Sequence, residues 1–188
     1  MKDGGHRRLF LAPQFSLVAS ASDITSPPIG ETMERTLIIF KPDAVQRGLC
    51  GQILTRFENK GLEIVGLKFM KIPQATAEKH YEPHKGKGFY PGLVKFMTSS
   101  PVLVVALQGK NVIAIARKMM GATFGSNAEP GTIRGDLGVS NSFNLIHGSD
   151  SPESANRELG LFFKPDELID WTPAIQPWIY DLSKGQPE

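Results

Sequence analysis

Thr36-Leu37-Ile38-Ile39-Phe40 is a short β-branched and aromatic run, and Lys41-Pro42-Asp43 closes it because proline cannot donate to a strand ladder. The pattern predicts a buried first strand. Between Gly48 and Lys60 the apolar spacing changes to that of a helix, with Ile53, Leu54 and Phe57 on one stripe and Gly61 as the C-terminal stop. A second strand is expected from about Leu62 to Ile72, ended by Pro73. Residues 75–99 read as short helical pieces broken by the turn-rich stretch 83–92, and Val102 to Leu107 reads as a third strand. Asn111 is placed to cap a helix whose Val112, Ile115, Ala116 and Met119 share a face, with Arg117 pointing away and Gly121 at the end. Residues 121–142 lack periodicity for long enough to suggest function rather than connection. Phe143 to Ile146 is expected as a brief fourth strand, and Ser151 followed by Pro152 opens a last helix to about Phe162. The predicted order is strand-helix-strand, insertion, strand-helix-strand, helix.

A chain of 188 residues suits one domain with a sizeable core. Its 21 basic and 19 acidic residues leave a formal charge of only +2, so no global field argues for a nucleic acid or membrane partner, and any anion site must be built locally. Cys50 stands alone, which excludes an internal disulfide and suits a reducing, cytoplasmic location. The strongly apolar stretch Val102 to Leu107 is far shorter than the roughly 20 residues that cross a bilayer. Residues 1–33 carry early basic residues, an apolar stretch interrupted by Pro13 and Gln14, and scattered acids. They read as a disordered leader, the alternatives being a targeting peptide or a translational start at Met33. Residues 34–181 form the expected catalytic domain and 182–188 a tail.

Phosphate chemistry is often signalled by G-x-x-x-x-G-K-[ST], which is absent; 86–92 (GKGFYPG) is only superficially similar. Separated cationic side chains are the other way to hold phosphates, and Lys41, Arg117 and Arg134 are candidates, although each taken alone reads as a solvated surface charge. His80 and His84 flank Glu82, but the glutamate is misplaced for a zinc helix and Pro83 disrupts the helix. No metal site is expected there, and His80 reads as a partly exposed side chain. His147 lies where a strand runs into Gly148-Ser149-Asp150-Ser151 before a helix, with Gly148 permitting close approach of an anion. Ala155, Leu159 and Phe162 mark the buried stripe of that helix, so Glu158 at its edge can reach back and fix the imidazole tautomer. Two readings stand at this point: a nucleophile, or a core histidine bonded to a capping serine.

The segments 41–48 (KPDAVQRG), 130–136 (PGTIRGD) and 144–151 (NLIHGSDS) together resemble the nucleoside diphosphate kinase family, and the resemblance runs from Glu34 to about Asp181. It implies an α+β fold, a ferredoxin-like β-α-β-β-α-β core with an antiparallel sheet and a helical insertion. It also implies ping-pong transfer, in which a nucleoside triphosphate, mainly ATP, phosphorylates His147 and a nucleoside diphosphate collects the group, with broad base specificity. By the same resemblance Lys41, Tyr81, Arg117, Thr123, Arg134 and Asn144 surround phosphates and ribose, and Phe89 stacks on the base. Glu158 and Ser149 orient the histidine and assist proton movement. Mg2+ is implied only through the nucleotide phosphates, without a protein cage. The tail Trp178-Ile179-Tyr180-Asp181 resembles that of hexameric members, implying a homohexamer, with a homotetramer as the alternative.

Two positions depart from the family pattern. Asn141 stands where a valine or isoleucine usually faces the stacking aromatic, and Phe124-Gly125 follow Thr123 where many members have Asn-Pro. The first bears on base preference and the second on subunit contacts. A nucleic-acid module of the same fold would display interleaved aromatic and basic residues on its strands, which Thr36–Lys41 and Val102–Leu107 do not. A phosphohistidine phosphatase would not need a Lys-Arg-Arg nucleotide clamp.

Overall fold

The computed structural model describes residues 33–185, 187 and 188, so the leader reading falls, except for Met33, outside the described residues. Strand β1 (Met33–Phe40) is the centre of the molecule, because its last five residues are buried on both faces. It is followed by α1 (Pro42–Gln46), α2 (Cys50–Asn59) and β2 (Glu63–Met70). The insertion comprises α3 (Gln74–His80) and α4 (Tyr90–Ser99), and β3 (Val102–Lys110) returns the chain to the sheet. The second half runs through α5 (Val112–Met120), α6 (Ile133–Leu137), β4 (Ile146–Gly148) and α7 (Pro152–Phe162). The sheet order is β2-β3-β1-β4 and every neighbouring pair is antiparallel. This is the ferredoxin-like α+β core, with α3 and α4 inserted between β2 and β3. None of the helices among the described residues is long and apolar enough to cross a membrane.

The period of two along β1 and β3 divides the interior into two cores. Ile38, Phe40, Leu103, Val105 and Leu107 face Ile53 and Phe57 of α2, Val112, Ile113, Ala116 and Met120 of α5, and Ile133 of α6. Leu37, Ile39, Val102, Val104 and Ala106 face Ala77 of α3, Val94 and Met97 of α4, and Leu159 and Phe162 of α7. Each fully buried aliphatic or aromatic side chain of this kind contributes about 1.5–3 kcal/mol. A sheet covered on both sides explains why β1 reads as a continuous apolar run rather than an alternating one. His147 pairs with Ile39, which places its side chain on the α3/α7 face.

Three local expectations are corrected and one is extended. Pro42 does end the ladder, but it also occupies the first turn of the short helix α1, where its missing N–H costs nothing. Asn111 precedes α5 in the left-handed region at φ 53° and makes no side-chain cap. The buried face of α5 is Val112, Ile113, Ala116 and Met120, while Ile115 and Met119 are only partly covered. The fourth strand is Ile146–Gly148 rather than Phe143–Ile146. Leu145 explains that shift, because its φ of 69° breaks the extended backbone, and Phe143 instead lies half exposed with its ring 5.0 Å from that of Phe96.

Gly148 has a packing reason that its sequence context does not suggest. A Cβ there would lie 2.7 Å from Met120 Sδ and 3.0 Å from Ile38 Cδ1, on the face away from His147. Its smallness therefore serves the core rather than an approaching anion. Gly148→Ala is expected to destabilise the fold by about 1–3 kcal/mol through overpacking. A urea midpoint equal to that of the parent protein would refute this.

Candidate active site

Glu158 projects from the buried face of α7 and is only 4% exposed. Its Oε2 accepts from His147 Nε2 at 2.9 Å and from the Ser149 hydroxyl at 2.9 Å. Ser149 is in turn fixed by Leu37, whose N–H donates to its Oγ at 3.2 Å and whose carbonyl accepts its N–H at 3.1 Å. Burial alone pushes the Glu158 carboxyl up, but the hydrogen bonds from His147 and Ser149, with the adjacent imidazoles, override it and hold the group ionised, well below the usual range. An ionised carboxylate can only accept, so Nε2 carries the proton and Nδ1 keeps its lone pair. The side chain of His147 is 22% exposed, so that lone pair is within reach of a ligand. Ser151 caps α7 through the Ser154 N–H at 3.1 Å and thereby fixes where Glu158 falls.

A second cluster is cationic. Lys41, at the end of β1, donates from Nζ to Asn144 Oδ1 at 2.6 Å, and Asn144 Nδ2 donates to the Thr123 carbonyl at 2.8 Å. Burial first, then the Arg134 charge, push Lys41 down to about 8, opposed by Asp43. Arg134 is 5% exposed and holds the loops together by donating to the carbonyls of Asn144, Gly121, Ala122 and Ile146 at 2.6–3.4 Å. Burial and the neighbouring Arg117 lower it to about 10, which leaves it charged at neutral pH. Arg117 donates to the Gly148 carbonyl at 3.3 Å, beside His147, while its side chain faces solvent as its position on α5 predicts. Gly135 permits this packing, since a Cβ there would lie 2.0 Å from the Glu129 carbonyl oxygen.

Aromatic rings lead from the centre outward. Tyr81 meets His147 edge-on at 6.2 Å, His84 lies 6.3 Å from Tyr81, and Phe89 lies 5.6 Å from His84 and is 56% exposed. The Tyr81 hydroxyl is buried without a partner, and burial raises its pKa. The structure thus groups His147, Glu158, Ser149 and Tyr81 directly, and joins Lys41, Asn144 and Arg134 through hydrogen bonds. Thr123 enters through its carbonyl, its side chain being exposed.

Three residues are not identified by sequence reasoning. His80 is 3% exposed rather than partly exposed, packed edge-on against His147 at 4.6 Å, Tyr81 at 4.4 Å and Phe162 at 5.4 Å. Desolvation, then the nearby His147, push it down to about 3 against the opposing pull of Glu158, so it is neutral at physiological pH. Asp43 accepts the Leu145 N–H at 3.0 Å through Oδ2, and Leu145 returns a carbonyl to the Lys41 N–H at 2.8 Å. The position of His80 at the end of α3, on the same face as Ala77, was the available signal. Asp43 and Leu145 offered none, because their pairing joins segments about a hundred residues apart.

The family model for nucleoside diphosphate kinase matches residues 34–168. The chain belongs to the nucleoside diphosphate kinase family. A nucleoside diphosphate kinase from a Synechococcus species is 56% identical over 149 residues, covering 79% of this chain and all of the relative. Among solved structures, the halophilic family member from Halobacterium salinarum in complex with CDP is 49% identical, with TM-score 0.77 over 79% of this chain and 99% of the other. A transition-state mimic of the Borrelia burgdorferi nucleoside-diphosphate kinase with bound vanadate and ADP is 34% identical, with TM-score 0.72 over 77% and 95%. The chain is accordingly an enzyme that transfers phosphate from a nucleoside triphosphate to a nucleoside diphosphate.

The buried lysine makes a linkage prediction. Lys41 is expected to titrate near 8 in the free enzyme, and Asp43→Asn to lower that value by removing the opposing carboxylate. Because the unfolded chain binds more protons than the folded one between about 8 and the ordinary lysine value near 10.5, this group makes stability rise with pH across that window. Nitrogen-detected NMR of the lysine ammonium checks it, and titration at the ordinary value would exclude the assignment.

Proposed function

We propose that phosphoryl transfer in this enzyme runs through His147, whose Nδ1 lone pair attacks the γ-phosphorus of a nucleoside triphosphate in a ping-pong cycle. The bond from Nδ1 to phosphorus forms as the bond from phosphorus to the bridging oxygen breaks, and the nucleoside diphosphate leaves with that electron pair. The acceptor diphosphate reverses the step with its terminal oxygen. The observation that carries this reading is the 2.9 Å bond from His147 Nε2 to the ionised Glu158, which commits the proton to one nitrogen and leaves the other free. Phosphorylation at Nδ1 makes the ring cationic, and the adjacent carboxylate offsets that charge. Ser149 keeps Glu158 aimed by donating to the same oxygen.

Lys41, Arg117 and Arg134 supply the positive field for the transferring group, and Tyr81, Thr123 and Asn144 complete the phosphate and ribose contacts. Arg134 acts chiefly through its charge and by fixing the loops, since its N–H groups are largely taken by carbonyls. Magnesium would supply charge neutralisation and orientation of the β- and γ-phosphates. The donors around His147 are two imidazoles and an engaged carboxylate, a poor match for an ion that seeks six oxygens, so the phosphate oxygens of the nucleotide and water would hold it.

Phe89 is the stacking platform for the base, and its exposure at the outer end of the aromatic series supports acceptance of many bases. Relatives captured with CDP and with ADP support the same breadth. Asn141, tied to the Ser126 hydroxyl at 2.9 Å, puts an amide where the family has an apolar residue and shifts the ranking among bases. We further propose self-assembly into a homohexamer. Phe69 at 65%, Val139 at 89% and Trp178 at 91% exposure give a single copy apolar surface for an assembly to cover.

Incubation with γ-labelled ATP, isolation of the protein and addition of unlabelled GDP tests the cycle. Acid-labile label should appear on the enzyme and pass to GDP, and His147→Ala should abolish both. Full transfer by His147→Ala would overturn the mechanism. Glu158→Gln is expected to retain labelling but slow it by on the order of 100-fold, because the tautomer is no longer fixed. In steady-state assays kcat/KM should fall as pH rises through about 8, where Lys41 loses its proton. A profile flat from pH 7 to about 9.5 would remove Lys41 from phosphate binding.

A further inference from the structure

The phosphoryl-transfer reading uses Glu158, Ser149 and His147 but gives His80 no bond to make. Its ring is enclosed by Tyr81, His147 and Phe162, and both ring nitrogens are buried without a hydrogen-bond partner. Leaving a buried polar atom unpaired costs free energy, so two on one ring are a feature that a ligand at either nitrogen would relieve in part. One nitrogen of His80, one of His147 and an oxygen of Glu158 all lie within 4.8 Å of one another.

We propose that His80, His147 Nε2 and Glu158 form a binding site for a divalent transition-metal ion, with Zn2+ the best fit, and that its occupation reversibly switches off the nucleophile. Two imidazoles and one carboxylate are the donors of zinc centres that leave a fourth position to water. They are also the wrong donors for magnesium, so the two ions do not compete for one place. Zinc bonds of 2.0–2.2 Å set neighbouring ligand atoms about 3.3 Å apart. His147 Nε2 and Glu158 Oε2, at 2.9 Å, open slightly, and the widest pair closes by at most about 1.5 Å, within reach of side-chain rotation. Ser149, bonded to the same carboxylate, remains as the outer partner that aims a ligand.

The consequence for activity follows from proton position. A metal at Nε2 takes the place of the proton now shared with Glu158. The neutral imidazole then carries its hydrogen on Nδ1, and the lone pair that attacks phosphorus is gone. No proton need leave the protein, since Glu158 is already ionised and the ring merely changes tautomer. This consequence rests on the reading of His147 as phosphate carrier, whereas binding of the ion does not.

The two are tested separately. The full chain, free of nucleotide, is titrated with Co2+, whose tetrahedral complexes absorb intensely in the visible, and Zn2+ is then used to displace it. One equivalent with intense bands is expected, and His80→Phe should weaken affinity at least about 100-fold, a ligand being worth no less than an outer partner. In the parent protein, which does not depend on that variant folding, long-range proton–nitrogen spectra should show the ring nitrogens of His80 and His147 shifting together on adding Zn2+. Absence of bands, equal affinity in His80→Phe, or shifts confined to His84 would overturn the site. Labelling from γ-labelled ATP at buffered free Zn2+ should fall in step with occupancy and recover with a chelator, and undiminished labelling of the metal-bound enzyme would overturn the switch. Failure of label to appear even without Zn2+ would instead sink the phosphohistidine reading and leave the spectra to decide the site.

Discussion

A carboxylate taken out of water must be paired, hydrogen-bonded or neutralised, and Glu158 satisfies that requirement with the two groups that define the site. The His147 imidazole and the Ser149 hydroxyl converge on one oxygen, each at 2.9 Å. The geometry around that oxygen constrains three parts of the fold at once. Strand β4 must deliver His147 and then Ser149, α7 must present Glu158 from its buried face, and β1 must hold Ser149 through both polar groups of the Leu37 backbone. The capping serine at 151 starts α7 at the right residue, so the alternative sequence reading of a histidine bonded to a capping serine gives way. The cap and the partner of the histidine are different side chains.

The cationic half is built by a different device. Leu145, fully buried, adopts φ 69°, a conformation that costs a side-chain-bearing residue about 1–2 kcal/mol. Asp43 accepts its N–H and Lys41 donates to its carbonyl, and a hydrogen bond to a charged group contributes about 1.5–3 kcal/mol, enough to offset the strain. The turn at Leu145 rotates Asn144 toward Lys41 and starts β4 only at Ile146. Strain at this residue therefore separates Asn144 from His147 while keeping both on one short segment. Asp43 has the second effect of keeping the Lys41 ammonium from losing still more affinity for its proton.

How much of this was legible follows from the range of the interactions. Strand β1, the α2 stripe at Ile53 and Phe57, and the α7 cap and stripe are periodic or local; the sequence reads both helices within a residue or two and β1 to its last residue, starting it three residues late. The reach of Glu158 toward the strand was also legible, since a position at the edge of a stripe determines direction. Helix α1 escaped notice because its five residues are too few to show a period. The early placement of β4 came from reading Phe143 as a strand residue, where its contact with Phe96 forty-odd positions earlier decides its fate. His80 was misread because its burial depends on Tyr81, His147 and Phe162 converging from three elements. The two-sided covering of the sheet shows locally in the continuous apolar run of β1, whereas sheet order has no local signature and follows from the family resemblance.

Positions where local rules fail gather within this site: a left-handed leucine, a buried lysine with a depressed pKa, an unpartnered tyrosine hydroxyl and an unpartnered histidine. A sequence selected only for stability would remove each of them, because each carries a cost that a plainer residue avoids. Leu145 and Lys41 shape and charge the segment that leads into His147, and the Tyr81 hydroxyl is left without a partner. His80 differs, since one of its nitrogens lies within 4.8 Å of a nitrogen of His147 and of an oxygen of Glu158. A ligand that relieves it therefore meets the same carboxylate that holds the His147 imidazole.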